Sequence, residues 1–386
     1  MTNSSPQAAV ATLASHFESL RDPRVVGRSF HPFLTIVVGA LVAVLGGAQG
    51  WDAMADFVRD HRDWFAKFVG VSEQTPSADT FRRVLAAIQP RAFAACVESW
   101  VQSVLQPLAG EVVAFDGKAL RGAQKRSVAW LPAALHRVHV WASKQRLLLA
   151  QEAVDGAPNE PAALLALLKL LDVKGAILTG DAQQCTKAVA QGILDAGAGY
   201  LLGLKANRKA MHRAVRGHFE RLEVRPVETK DVSFHQEVTN AHGRTEVRRA
   251  WSIPSADIEG LNTKLPGLQS ASLVERTRVV GGKVSRERFF YLASLPPTAA
   301  TILDTARTHW TVENSLHWTL DVQMKEDACA IHDGNGAQNV ATLRGLALML
   351  LKRDTSFKAG IARKQARVNR NTEYREQVLT RIFTEV

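Results

Sequence analysis

The sequence predicts an α/β protein: an all-helical N-terminal part, then a core in which strands and helices alternate, interrupted by a β-rich insertion. Three observations predict it. Apolar positions recur at helical spacing through residues 1–105. From Glu111 onward, short apolar runs alternate with helical stretches. Between about residues 206 and 300, alternation of apolar and polar residues dominates around glycine-containing turns. The expected division is a helical domain over 1–105, a core over 106–350 holding the insertion, and a basic tail over 351–386.

The N-terminal helices are expected around Val10–Leu20, Phe33–Ala48, Trp51–Val69 and Thr80–Leu105. Ser77-Ala78-Asp79-Thr80 supplies N-cap chemistry for the last of them, and places Arg82 and Arg83 on its first turn as solvated charges. EVVAFDG, RVHVWAS and LLLAQEAV predict three successive strands, the last two joined by a turn at Lys144-Gln145-Arg146. A helix over Glu160–Leu171, a short strand GAILTGD, a helix over Thr186–Leu194 and a buried strand GYLLGLK follow. In the insertion, VSFHQEVTN and RTEVRRAWSI flank a turn at Ala241-His242-Gly243, and ASLVERTRVV and VSRERFFYLAS flank Gly281-Gly282. Helix returns from about Thr301; the tail from Lys352 carries many Arg and Lys, offers few apolar anchors and is expected to be partly mobile.

Composition narrows the function classes. The 386 residues include 48 Lys plus Arg against 37 Asp plus Glu, a formal charge of +11. Such a balance favours polyanionic partners, nucleic acid first and an anionic membrane surface second. Cys96, Cys185 and Cys329 stand far apart, which excludes a disulfide framework and a sulfur-ligated zinc site and suits a reducing, cytoplasmic setting. The first residues lack a basic segment followed by an apolar one, so no export signal is expected. Phe33–Ala48 is apolar but falls short of the roughly 20 residues that span a bilayer, and its glycines fit a buried helix better.

Three acidic residues fall where this order of elements makes them converge. Asp116 lies in the first strand, Asp181 closes the fourth, and Glu313 lies on the helix after the insertion. In a sheet built this way the first and fourth strands are neighbours, and a helix crossing them can bring the third carboxylate. Such a cluster suits phosphoryl transfer with two divalent ions, for which hard carboxylate oxygens select Mg²⁺. Each acid also has a plain structural reading: Asp116 as a turn former, Asp181 as a helix cap, Glu313 as a solvated charge. Against the last stand Trp310, Val312, Leu316 and Trp318, an apolar setting in which an uncompensated carboxylate is costly. His309, Glu313 and His317 share one helical face, which also fits a zinc or iron site; without a second His or Cys cluster, the histidines read better as neighbours of a carboxylate site or as DNA contacts. No Walker-type loop, dinucleotide fingerprint or nucleophile elbow occurs. Lys118 and Arg121 follow the first acid, Lys205, Asn207, Arg208 and Lys209 follow the fifth strand, and Arg244, Arg248 and Arg249 lie in the insertion, together suggesting a phosphate-binding surface.

The strings VVAFDGKALRGA, GAILTGDAQQCTKAVA, YLLGLKANR, HGRTEVRRAW and HWTVENSLHWTLDVQMKEDACAIHDGN resemble the blocks of H-repeat-associated, ISAs-type insertion-sequence transposases. HPFLTIVVGALVAVLGGAQGWDAMADFVRDH and PSADTFRRVL are similar to the helical segment that accompanies that catalytic domain, so the resemblance covers nearly the whole chain. It implies a DDE transposase with an RNase H-like core, the insertion falling in the longer gap between the second and third acids. Asp116, Asp181 and Glu313 would be the catalytic and metal-binding triad, holding two Mg²⁺ ions with Mn²⁺ as substitute. The wider group places a Tyr, an Arg and a Lys around the Glu; here His309 and Leu320 occupy two of those positions, and His309, Asn314 and His317 are expected only as neighbours.

The resulting expectation is a bacterial, nucleoid-associated transposase that cuts at the ends of its element and joins them to target DNA. It would bind double-stranded DNA at Lys118, Arg121, Lys205, Asn207, Arg244, Arg248, His309, Asn314 and His317 and act as a dimer or larger assembly on DNA, with no membrane involvement. A DNA-binding protein of transposase descent without chemistry, and an RNase H-type nuclease, are the competing readings.

Overall fold

A segment as apolar as FLTIVVGALVAVL forms a stable helix in water only if other helices wrap it. In the computed structural model, which describes residues 6–25, 27, 29–120, 135–154, 160–222, 231–241 and 243–380, that is its fate. The chain begins with α1 (Pro6–Ser15), α2 (Phe33–Leu45), α3 (Trp51–Asp60), α4 (Arg62–Val69), α5 (Ala78–Ala87) and α6 (Pro90–Val104). Every residue of α2 from Thr35 to Leu45 is buried. Ser77 caps α5 by accepting the Thr80 N–H at 3.3 Å, and Arg82 and Arg83 both pair with Asp79 at 2.6 Å, as solvated charges. No helix among the described residues is long and apolar enough to cross a membrane.

The core follows with β1 (Val112–Leu120), β2 (Leu135–Ala142), β3 (Leu147–Val154), α7 (Glu160–Leu168), β4 (Ile177–Gly180), α8 (Lys187–Asp195) and β5 (Gly199–Leu204). β1, β2 and β3 run antiparallel in sequence; the chain then crosses back through α7 to lay β4 parallel to β1, and through α8 to lay β5 parallel to β4. The two crossover helices α7 and α8 pack against each other on one face of the sheet, which leaves the other face of β1 and β4 to a later element.

Residues Lys209–Arg221 form α9, where the sequence pointed only to alternation. Its two buried residues, Val215 and Phe219, are too few to announce a helix against seven charged or histidine side chains. The insertion continues as β6 (Ser233–Ala241), β7 (Arg244–Pro254), β8 (Ser270–Val280) and β9 (Lys283–Ala293), an antiparallel meander. It is not a separate layer. β9 pairs with β5, Leu201 opposite Ala293 through Leu204 opposite Phe290, making one nine-stranded sheet in the order β3-β2-β1-β4-β5-β9-β8-β7-β6.

α10 (Ala299–Val312) crosses this sheet, packing on β1, β4, β5 and the meander. It runs into two wide turns of π-helix, Glu313–His317 and Thr319–Gln323. α11 (Gly334–Arg353), α12 (Ile361–Arg370) and α13 (Thr372–Thr380) complete the described chain. α11 packs on α2, α5, α6 and β3, so it joins the N-terminal helices to the sheet. The tail expected to lack anchors has them up to Thr380: Ile361, Val368, Tyr374, Val378 and Leu379 are buried, and Arg375 is fully covered with its guanidinium over the rings of Phe57 and Trp64.

Candidate active site

The register of β1 and β4 decides where the first two acids sit. Ala114 is opposite Thr179 in this parallel pair, so two residues further on Asp116 and Asp181 stand level, on the same face, at the carboxyl end of β4. Close packing limits β4: a Cβ on Gly180 would collide with the buried ring of Phe115, whereas one on Gly117 would meet only the movable end of the Glu160 side chain. Asp116 Oδ1 accepts its neighbour Gly117 N–H at 2.9 Å, and Asp181 Oδ1 accepts the Gln183 N–H at 2.8 Å.

The third acid, Glu313, is exposed on the extension of α10, outside the apolar enclosure expected for it. His309, Glu313, His317 and Asp321 follow one another at intervals of four residues. In a regular α-helix each such step drifts by about 40° around the axis. The wide turns after Val312 take that drift back, so the row stays aligned with the sheet beneath it. His309 Nδ1 lies 2.9 Å from the Thr179 hydroxyl, His317 Nδ1 lies 3.6 Å from Asp116 Oδ2, and His317 Nε2 lies 3.2 Å from Nδ1 of buried His139.

The acids also act on one another through charge. Burial pushes the Asp116 carboxyl up to about 7, and the negative charges of Asp181, Glu313 and Glu160 add to the push. Glu160 is raised too, by burial and then by Asp181, although Gln184 donates to it at 3.2 Å. Burial pushes His309 and His317 down to about 4, which leaves both rings neutral near pH 7. Glu160 is a fourth acid that the sequence did not single out: it opens α7, far in the chain from Asp116, and only the crossover brings it near.

The remaining expected contacts separate. Lys205 and Asn207 are exposed at the carboxyl end of β5; Lys205 is near enough to His309 to disfavour its protonation, and Asn207 Nδ2 donates to the Ala182 carbonyl at 2.8 Å. Asn314 is exposed beside Glu313. Arg244 and Arg248 lie on the meander, both paired with buried Glu246, and Arg278 joins them at 2.7 Å. Arg121 is outside the described residues. Lys118 is a correction. It is 6% exposed, and its ammonium is held by Asp321 at 2.5 Å and Glu326 at 2.8 Å, so it is spent inside the protein and offers nothing to a phosphate. Burial opposes that charge, but the facing carboxylates outweigh it and raise the affinity of Lys118 for its proton.

Among the described residues no three His, Cys, Asp or Glu side chains gather closely enough to hold one ion between them. The donor chemistry nevertheless suits a hard cation, because Mg²⁺ commonly takes only one or two carboxylates and fills its shell with water and substrate phosphate. Two level carboxylates on adjoining strands, short of compensating charge, meet that requirement.

Residues 107–350 match the family model of the transposase DDE domain, and residues 14–101 match that of the DDE_Tnp_1-associated segment. The chain is 30% identical over 373 residues to YhhI of Escherichia coli K12, named as an H repeat-associated putative transposase, covering 95% of this chain and 97% of that one. It is 36% identical over 282 residues, 72% of this chain and 92% of the other, to an uncharacterized protein of the dhlA 3′ region in Xanthobacter autotrophicus. Among solved structures, a piggyBac transposase synaptic complex with hairpin DNA aligns with 99% of this chain and 78% of its own, at a TM-score of 0.40 and 11% identity, too remote to argue from. With a family model spanning most of its length and a relative alike from end to end, the chain belongs to the DDE transposases of the H-repeat-associated kind.

Proposed function

We propose that the protein cuts DNA at the ends of a mobile element and transfers the freed strands into target DNA, with Asp116, Asp181 and Glu313 as its catalytic and metal-binding acids on an RNase H-like core. The observation that carries the reading is the pressure on Asp116, a carboxyl pushed to about 7 partly by three other acids drawn from a neighbouring strand, a crossover helix and α10's extension. Carboxylates assembled at this cost to stability are the expected mark of a site that works with a cation. Mg²⁺ bound by these acids, two ions with Mn²⁺ as substitute, would activate the attacking oxygen and stabilise the leaving one.

The chain's own groups do the positioning. Asp116 and Asp181 face the scissile phosphate from level points on the sheet, and Glu313 closes over them. His309 and His317, neutral and fixed by Thr179 and His139, hold the row on which Glu313 sits and are close enough to contact the DNA beside it. Lys205, Asn207 and Asn314 are exposed at this end of the sheet for the phosphates on either side, and Arg244 and Arg248 extend the basic surface along the meander. Residues 1–105 act in DNA binding and assembly, 106–350 in catalysis, and the basic segment after 351 supports both. Synapsis of two element ends requires a dimer at least when DNA is bound, in the bacterial cytoplasm at the nucleoid.

The test is to incubate the protein and its Asp181→Ala variant with Mg²⁺ and labelled DNA carrying the sequences that flank the gene. End-specific cleavage and joining by the wild type, lost in the variant while binding persists, is the expected result. Cleavage retained by Asp181→Ala would overturn the assignment; binding without cleavage by both would favour a DNA-binding protein of transposase descent, and hydrolysis without joining an RNase H-type nuclease.

A further inference from the structure

The meander is charged on both faces, and only one of them is on the side of the carboxylates. Neighbouring residues of β9 define the two sides: Phe289 packs on Trp310 of α10, whereas Phe290 packs on His212 and Phe219 of α9. Arg244, Arg248 and Arg278 surround Glu246 on the α10 side. The α9 side repeats the device with other residues. Glu275, 3% exposed, is approached by Arg288 at 3.0 Å, Arg249 at 3.6 Å and Arg286 at 3.7 Å. One buried carboxylate thus gathers three guanidinium groups and neutralises one, leaving a surplus of positive charge on this face.

α9 continues this array. Lys209, Arg213 and Arg216 are exposed along one helical face. A groove of about 370 Å³ lined by Lys209, His212, Arg213 and Arg216 leads into a second cavity of about 230 Å³, between α9 and β9, lined by Arg216, Phe219, Arg288 and Phe290. Glu220 is the carboxylate of this groove, paired with Arg216 at 2.7 Å. Among the described residues, six cations therefore face two carboxylates here. Lys209 to Arg216 covers about 10 Å of helix axis, and each strand of a duplex presents a phosphate about every 3.4 Å along its own axis. The spacing fits a nucleic-acid backbone, and guanidinium forks suit phosphate oxygens.

We propose that the α9 side of the meander is a second docking surface for duplex DNA, on the sheet face opposite the carboxylates, so that one protomer holds two duplexes at once. The inference rests on the reading of the protein as a DNA transposase and adds to it a site that the acids do not require. The contacts are to phosphate, so the second duplex is held without regard to sequence.

The experiment saturates immobilised full-length protein with a duplex carrying the gene's flanking end, then measures capture of a second, labelled duplex of unrelated sequence across a salt series. The wild type should capture it. Arg213→Gln/Arg286→Gln, both exposed and outside the carboxylate site, should bind the first duplex unchanged, capture the second about tenfold less well, and lose about 2 units of salt slope for that step. The charge-reversed pair Arg213→Glu/Arg286→Glu should capture none, with thermal melts of both variants confirming the fold. A wild type that holds the first duplex and captures no second, or variants that capture it as the wild type does, would overturn the proposal and leave the functional reading intact. A wild type that binds no duplex at all would overturn that reading.

Discussion

Lys118 and Asp116 are two positions apart on one strand and so share a face, yet their environments set opposite demands. Asp116 is surrounded by like charge, Lys118 by unlike charge from Asp321 and Glu326. Breaking a buried ion pair by removing one partner strands the other, which typically costs about 3–5 kcal/mol. Lys118→Met should therefore destabilise by an amount of that order in denaturant melts and loosen the segment that carries Glu313; a variant as stable as wild type would show that the carboxylates find water instead. For Asp116 the consequence depends on pH. A carboxyl held up to about 7 binds its proton more tightly in the folded chain than in the unfolded one, so its contribution is present at low pH and lost as pH climbs through the window from its ordinary value to about 7. His309 and His317, pushed down to about 4, act the other way: their contribution is complete above the ordinary histidine value and lost as pH falls toward 4. Asp116→Asn removes only the first effect. In metal-free buffer the stability of the wild type relative to this variant should fall by roughly 2 kcal/mol between pH 5 and pH 8, and saturating Mg²⁺ should remove the fall. A difference that stays constant across that range would mean that Asp116 does not feel the other acids.

At the scale of elements, β4 and the wide turns after α10 are shaped for what they carry. Gly180 is the last residue of β4, and a side chain there meets Phe115, whose ring is fully buried and cannot retreat. Gly180→Ala should cost about 1–3 kcal/mol by overpacking and displace Asp181, lowering cleavage further than the melting curve alone accounts for; unchanged stability and activity would mean that β4 shifts freely. The strands themselves were legible, because β1, β4 and β5 are short apolar runs that punctuation isolates, and Asp116 and Asp181 could be paired from the order of elements alone. What escaped the sequence was everything decided by distant contacts. β5 and β9 join across a gap of nearly ninety positions, so nothing local announces that the insertion extends the sheet. Lys118 looks like an exposed charge until Asp321 and Glu326 are placed over it, and Glu160 like an ordinary helix start until α7 brings it to Gly117. The π-helical turns have no local signature either; their effect appears only in the row His309, Glu313, His317 and Asp321 kept over the sheet.

The whole molecule is tied by its last helices. α11 bridges the sheet to the N-terminal bundle, and α12 and α13 return to α2 and α1. The Arg375 side chain donates to the Val368 carbonyl at 3.0 Å and the Asn369 carbonyl at 3.1 Å, and covers Phe57 and Trp64. Removing residues from Asp354 onward should strip that cover and lower the melting temperature of the N-terminal helices, followed by exchange of their amide hydrogens, with less change in β1–β5. Equal protection with and without α12 and α13 would show that the bundle holds without them.

The hydrogen-bonded seam from β5 to β9 also sets how the molecule can measure. A flexible tether would let the meander search for its footing; a shared ladder leaves it no hinge, so the backbone of every residue on β7, β8 and β9 stands at a fixed offset from Asp181. That offset is graduated in steps of about 3.3 Å, the rise of one strand residue. The sheet is then a ruler, and a ligand that reaches both the meander and the acids must fit its marks.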